Sequence, residues 1–142
     1  MALLLTDGFE VARPHWQLVP PGDLRLGLRI QSTGRKRGTT NDNAPDVIIP
    51  GRIGVWTFVA TVYDRQSGKV RHYQNGRPVA SAAIRFDQPL TIGSAEIGNW
   101  GVTLGKGTHP VRNFVGRRDE FTRWKIALDP VEVRDIYLKT RP

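Results

Sequence analysis

The sequence of 142 residues contains no cysteine. Without thiols the chain can form no disulfide, hold no zinc ribbon or cysteine-bound iron–sulfur cluster, and supply no thiolate nucleophile. No stretch approaches the roughly 20 apolar residues that a membrane-spanning helix needs. The first residues carry no basic region and too short an apolar run for an export signal. These absences exclude several classes of enzyme and redox protein, and they leave the cellular compartment open.

Acidic residues are scarce relative to basic ones. Lys and Arg number 21 against 13 Asp and Glu, so the formal net charge is +8. Such an excess attracts acidic glycans, anionic lipid headgroups and phosphate without selecting one of them. Arg25 and Arg29 fall on the polar face of one predicted strand, where we expect them to bind an acidic polymer. The alternative is that they only form a solvent-exposed face without a ligand. No aromatic residues interleave with the arginines, so a nucleic-acid partner is not expected.

Glycine and proline are frequent, at 15 and 10 residues, which indicates many turns. Apolar and polar residues alternate over residues 24–30 and again over 56–63, the period expected of half-buried strands. Asn75-Gly76 is a strong signal for a type I′ hairpin turn. The remaining predicted strands are residues 69–74, 79–84, 90–92 and 121–127. The pattern predicts one all-β domain, an antiparallel β-sandwich.

One helix is predicted, at the C-terminal end of the chain. Asp129 suits the N-cap, Pro130 suits the first helical position, and Glu132 completes a capping box. Apolar residues follow at helical spacing, Val133 and Tyr137 among them. We expect this helix to cover an edge or a face of the sandwich.

Five landmarks in order resemble laminin G-like domains. Residues 56–64 (WTFVATVYD) and 73–79 (YQNGRPV) are similar to the family's core pattern W-x-h-V-A-x-x-Y-D followed by Y-x-N-G. The later landmarks are residues 90–93 (LTIG), 116–121 (GRRDEF) and 127–137 (ALDPVEVRDIY). The resemblance covers roughly residues 16–138. It implies an antiparallel concanavalin A-like jelly-roll β-sandwich with one short C-terminal helix.

The sequence departs from the family pattern in two ways. Arg118 and Arg123 stand where the family usually has apolar residues. Family members also usually begin with one or two strands before the region that matches residues 3–5. We therefore expect residues 1–142 to be a single domain that lacks its first N-terminal strand, or takes it from a partner. An exposed sheet edge of this kind would also allow a homo-oligomer.

The resemblance implies a non-catalytic binding or adhesion module that recognises a glycan or a protein surface. Residues 97–100 (IGNW) look like a bacterial branch that is often fused to membrane-anchored FecR-like regulatory proteins. The chain is then expected to belong to a larger cell-envelope protein, outside the cytoplasm, with the other domains of that protein as partners. One alternative is a structural or sensory domain of such a protein with no small ligand. A second is a truncated or degenerate glycoside hydrolase of the same fold.

If the chain is a binding module, its sequence suggests two ligand sites. Trp100, flanked by glycine-rich sequence, could stack on a sugar face while Asn99 bonds its hydroxyls, or it could fold back onto the core. The resemblance implies for Asp119 a share in a structural Ca²⁺ site with backbone carbonyls, since Ca²⁺ takes six to eight oxygen ligands. Arg117 and Arg118 oppose a cation there, and the alternative is an ion pair with an arginine. No other cofactor is expected.

The carboxylates do not form a pattern typical of a hydrolase. Glycoside hydrolysis needs two carboxyl groups about 5–10 Å apart on one cleft. Asp119 and Glu120 are adjacent on a predicted strand, so they should point to opposite faces. Asp7 and Glu10 are three residues apart, again the wrong parity, and no serine lies in a G-x-S-x-G context. We therefore do not expect an enzyme.

Overall fold

The computed structural model describes residues 2–6, 14–19, 23–28, 54–84, 89–93, 95–98 and 114–141. Within these ranges the chain forms seven strands and one helix. They are β1 (Ala2–Thr6), β2 (Pro14–Val19), β3 (Asp23–Leu28), β4 (Val59–Asp64), β5 (Lys69–Gln74), β6 (Arg77–Ala83), β7 (Ala95–Ile97) and α1 (Pro130–Thr140).

The strands form two antiparallel sheets, as predicted. One has four strands in the order β3-β2-β1-β7, and the other has three in the order β4-β5-β6. The β1–β2 pairing shifts register between Ala2 and Leu4, which marks an irregularity of the β-bulge type. Most paired strands are therefore neighbours in sequence. The exception is β7, which pairs with β1 although the two strands are far apart in the chain.

One apolar core lies between the two sheets. Leu24 and Leu26, from the predicted alternating strand, are both buried, which confirms that pattern over the described part of 24–30. The residues that pack around Leu3 and Leu24 are Trp16, Leu18, Val59, Ala80 and Phe114. Because Trp16 and Leu18 come from the four-stranded sheet and Val59 and Ala80 from the three-stranded one, this cluster joins the sheets.

A second core lies on the opposite face of the three-stranded sheet, under α1. Val62 and Tyr73 are buried there against Val133 of the helix. Phe58, Ala60 and Leu128 complete the cluster. The three-stranded sheet is thus apolar on both faces and forms a middle layer, with the helix covering a face and not an edge.

The local signals at the helix and the hairpin are confirmed. The Asp129 carboxylate accepts from the N–H groups of Val131 and Glu132, at 2.7 and 2.8 Å, and the Glu132 carboxylate accepts from the Asp129 N–H at 2.8 Å. Asn75 and Gly76 have φ of 49° and 72°, the left-handed pair that a type I′ turn requires. Both signals act within a few residues, and so sequence alone predicts them.

A polar turn joins β4 to β5. The Asp64 carboxylate accepts hydrogen bonds from the side chain and the backbone N–H of Ser67 and pairs with Arg71 at 3.2 Å. The bonds from Ser67, and then Arg71, lower the pKa of Asp64 to about 2. The carboxylate therefore stays ionised through the physiological range and holds the turn.

Two predicted strands are wrong. Neither residues 90–92 nor residues 121–127 form a strand, although both carry strand-like apolar spacing. A strand exists only where a neighbouring strand supplies hydrogen-bond partners, and within the described ranges no such neighbour lies beside these segments. Asp119 and Glu120 consequently do not share a strand, and Glu120 has a left-handed φ of 53°. The parity argument against this carboxylate pair therefore fails.

Arg118, one of the two departures from the family pattern, has a structural role. Its guanidinium donates to the carbonyl oxygens of Leu3 and Ile97, at 3.2 and 2.9 Å. It also lies 5.2 Å from the centroid of the Phe114 ring, within cation–π range. Gly98 permits this approach, because a Cβ at that position would overlap the guanidinium. Arg118 thus ties the segment before α1 to the β1–β7 edge.

Candidate binding groove

A groove of about 630 Å³ lies beside the β5–β6 hairpin turn and the C-terminal half of α1. Its volume falls in the range of pockets that bind small ligands. The lining residues are Val55, Thr57, Gln74, Asn75, Arg77, Val79, Arg134, Tyr137, Leu138 and Arg141. The groove therefore combines basic, amide and aromatic side chains with a few apolar ones.

The hairpin wall of the groove is held by local geometry. Asn75 donates its backbone N–H to the Phe58 carbonyl at 3.0 Å and accepts the Phe58 N–H on its side-chain oxygen at 3.1 Å. Tyr137 of α1 packs against the Phe58 ring, with centroids 5.7 Å apart and planes at 58°. A Cβ on Gly76 would lie 2.8 Å from the Tyr137 ring, so the turn and the helix are in close contact.

The charge of the groove comes from three arginines. Arg134 lies three residues before Tyr137 on α1, and Arg141, four residues after Tyr137, is the C-cap residue just beyond the end of the helix. Arg77 faces them from the first position of β6. Among the described residues, no carboxylate pairs with any of these guanidinium groups, and the groove lining contains no acid. The arrangement favours an anion over a cation or a neutral apolar ligand.

The site residues predicted from sequence are not brought into this groove. Asn99, Trp100 and Arg29 lie outside the described residues. Arg25 is in β3, paired with Gln17 of β2, and its side chain lies outside what the structure describes. Their ligand contacts therefore stay predictions.

Asp119, the predicted calcium ligand, is exposed. Its Oδ1 accepts the backbone N–H of Glu120 at 3.0 Å. In the part of the chain that the structure describes, no group of three histidine, aspartate or glutamate residues is placed to hold a metal ion. The calcium site stays a prediction that would need oxygen ligands from elsewhere.

The arginines of the groove were not predicted from the sequence, although the spacing of two of them already indicates that they lie close together. Arg134 and Tyr137 are three residues apart on the predicted helix, and Arg141 follows four residues later. The approach of Arg77 depends on where the hairpin sits against that helix. Only the packing under α1 shows this, since the two segments are more than fifty residues apart.

The fold and the groove together define the class of this protein. It is an antiparallel β-sandwich with a helix across one face and a cationic groove beside it. The chain belongs to the concanavalin A-like lectin/glucanases superfamily, since the Laminin_G_3 family matches residues 9–134. The predicted laminin G-like jelly roll is thereby confirmed. No curated protein matches the sequence.

A solved structure shares the fold. An S-layer domain-containing protein from Clostridium thermocellum ATCC 27405 (residues 221–444) superposes with a TM-score of 0.50 at 17% sequence identity. The match covers 96% of this chain and 62% of that one, so this chain spans less than two thirds of the length of its neighbour. Within the described ranges, α1 is too short and polar to cross a membrane, and no other helix is present to do so.

Proposed function

We propose that the chain is a non-catalytic binding module of a cell-envelope protein and that its groove binds an acidic glycan. The observation that carries the proposal is the convergence of Arg77, Arg134 and Arg141 on one groove without a carboxylate. Guanidinium groups bind carboxylates and sulfates through paired hydrogen bonds, so uronic acids and sulfated sugars suit them.

The uncharged residues of the groove fit the remainder of a sugar. Gln74 and Asn75 offer amide groups that can donate to and accept from hydroxyls. Tyr137 supplies an aromatic wall, held by its contact with Phe58. A glycan binds through this combination of charge, amide and ring contacts, whereas a bare inorganic anion would use only the arginines.

The absence of acids from the groove lining also supports a non-catalytic role. Glycoside hydrolysis requires one carboxyl group as acid and a second as base or nucleophile. The superfamily contains both lectins and glucanases, and the groove chemistry here favours the lectin side. The cell-envelope setting is supported by the fold shared with an S-layer domain-containing protein.

The test is calorimetric titration with oligogalacturonate and with its methyl-esterified, uncharged form at low and physiological salt. The acidic oligomer should bind, and the esterified one should bind at least about tenfold more weakly, because the arginines lose their charged partners. The double variant Arg77→Gln/Arg134→Gln should lose a similar factor.

The matched control is Arg117→Gln/Arg123→Gln, which removes the same charge outside the groove. It should retain most of the affinity. Equal losses in both double variants would mean that binding follows net charge alone, and equal binding of the two oligomers would contradict the anion-selective groove. Release of reducing sugar from the oligomer would favour the glycoside hydrolase alternative.

A further inference from the structure

Three apolar side chains remain exposed in the groove beside its arginines. Val55, Val79 and Leu138 line the groove and are 58%, 41% and 44% exposed. Single exposed apolar residues are common on any surface, whereas several of them in one concave site indicate contact with an apolar part of a ligand. The groove therefore offers its ligand apolar surface as well as charge.

A register shift in the β5–β6 hairpin brings Val79 to the groove. Val79 is the extra residue of this shift, because the residues on either side of it, Pro78 and Ala80, pair with consecutive residues of β5. An extra residue of this kind bends the strand and redirects a side chain, and such bulges are frequent beside active sites. Arg77, two residues earlier, lines the same groove. The hairpin wall thus presents an arginine and an apolar side chain close together.

The helix wall repeats this combination. Leu138 follows Arg134 by four residues on α1, so the two side chains are neighbours on one face of the helix. Both line the groove, together with Tyr137. Each wall therefore places a guanidinium group next to an apolar side chain, and a ligand that fits both walls needs acidic and apolar groups on neighbouring parts of the molecule.

One amide of the groove is already oriented. The side-chain oxygen of Asn75 accepts the backbone N–H of Phe58 at 3.1 Å. Because that oxygen is engaged, the amide presents its NH₂ group to a ligand, and this group donates to a carbonyl or hydroxyl oxygen. It suits the carbonyl of an acyl group, whose methyl group the apolar side chains can cover.

A plain polyuronate would use these features poorly. Its sugars carry carboxylates and hydroxyls, so hydroxyls would lose water against Val79 and Leu138 without gaining a partner there. An N-acetylated sugar places a methyl group at the same position, and removal of that group from water is favourable. A polyuronate thus accounts for the arginines, and an acyl group accounts for the apolar residues and the amide as well.

We propose that the groove selects acidic glycans in which uronic acids alternate with N-acetylated sugars. This specificity rests on the proposed binding of acidic glycans. The carboxylates pair with Arg77 and Arg134. The acetyl methyl group packs against Val79 and Leu138, and the acetyl carbonyl accepts from the NH₂ group of Asn75.

The test is calorimetric titration, at one salt concentration, with three oligosaccharides of equal charge. They are a hyaluronate hexasaccharide (glucuronate alternating with N-acetylglucosamine), the same hexasaccharide with N-formyl in place of N-acetyl groups, and trigalacturonate. The N-acetyl form should bind about fourfold more tightly than the N-formyl form, the factor expected for burying one methyl group. Trigalacturonate should also bind, through the arginines.

The variant Val79→Thr/Leu138→Gln keeps the arginines and removes the apolar contacts. It should bind the N-acetyl and N-formyl forms equally, and it should bind trigalacturonate as the parent chain does, which also shows that it remains folded. The matched control is Val115→Thr/Val131→Gln, which replaces exposed apolar residues outside the groove lining. The control should keep the preference for the N-acetyl form.

The possible failures are distinguishable. Equal binding of the two hyaluronate forms to the parent chain, while trigalacturonate binds, would overturn this specificity and leave the proposed function intact. Failure of all three oligosaccharides to bind would overturn the proposed function and this specificity with it. A preference for the N-acetyl form that persists in Val79→Thr/Leu138→Gln would remove the assignment of the methyl contact to these two residues.

Discussion

The indole Nε1 of Trp16 donates a hydrogen bond of 2.7 Å to the Oγ1 of Thr61, joining the two sheets of the sandwich. The same hydroxyl lies 2.8 Å from Nδ1 of His72 on the neighbouring strand. A polar chain across a largely apolar space is favourable only when its members are in register, so it specifies how β2 sits over β4 and β5.

Replacing Thr61 with valine should destabilise the fold by about 1–3 kcal/mol, because the shape is kept while Trp16 and His72 lose their shared partner. Urea denaturation at neutral pH measures the change. Thr91→Val is the matched control, since Thr91 is exposed and makes no hydrogen bond among the described residues. Equal stability of the two variants would show that the inter-sheet bond contributes little.

Stability should fall as the pH is lowered from about 6.5 to about 4. Burial lowers the pKa values of His15 and His72 from 6.5 to about 4, so the unfolded chain takes up protons before the folded one does. The stabilisation is complete above pH 6.5 and is lost as the pH falls through this window, on the order of 3 kcal/mol for each histidine.

Urea denaturation at a series of pH values measures this loss. Asp64, whose pKa is about 2 in the fold against 3.8 for a free side chain, is ionised in both states over most of this window and so contributes little to the loss. In the variant His72→Gln the slope should be about half as steep. A flat stability profile from pH 7 to pH 4 would contradict the assignment of buried, neutral histidines.

Gly76→Ala should be more destabilising than Gly68→Ala. Both glycines have left-handed φ, 72° and 65°, so alanine costs about 1 kcal/mol at either position. At Gly76 the new methyl group would also press on Tyr137, whereas Gly68 has open space. The difference in thermal midpoint between the two variants isolates the contact between the hairpin and α1, and no difference would argue against that contact.

Arg118→Met should lower stability by about 1 kcal/mol or more, because the carbonyls of Leu3 and Ile97 lose a charged donor. The neighbouring variant Arg117→Met, which removes the same charge, should be close to neutral. Chemical denaturation of both variants, with hydrogen exchange at Gly98 as a local probe, tests whether Arg118 holds the segment before α1 against β1 and β7. Similar effects in the two variants would contradict it.

Much of the fold follows from local sequence. The period-two alternation placed Leu24 and Leu26 inside, and the Asn75-Gly76 pair marked the hairpin turn. The capping box at Asp129 fixed the start of α1. Each signal operates over a few residues, where backbone conformational preferences and side-chain periodicity are sufficient.

The candidate site was harder to predict from the sequence than the fold. Arg134 and Arg141 can be placed close together from their spacing, but Arg77 joins them only through packing against the hairpin. Asn99, Trp100 and Arg29, predicted as ligand contacts, lie outside the described residues and stay predictions. Convergence of distant side chains depends on long-range contacts that a single sequence does not specify.

The lack of cysteine, the excess of basic residues and the alternating apolar pattern determined by themselves a disulfide-free, cationic, all-β domain. The tertiary structure decided where those charges act. Arg118 links two chain segments through its hydrogen bonds to Leu3 and Ile97. The groove is lined by Arg77, Arg134 and Arg141. It also decided that residues 121–127 are not a strand, despite their apolar spacing. Composition and period describe what each residue prefers, but a strand or a site exists only when another part of a polypeptide supplies the partner.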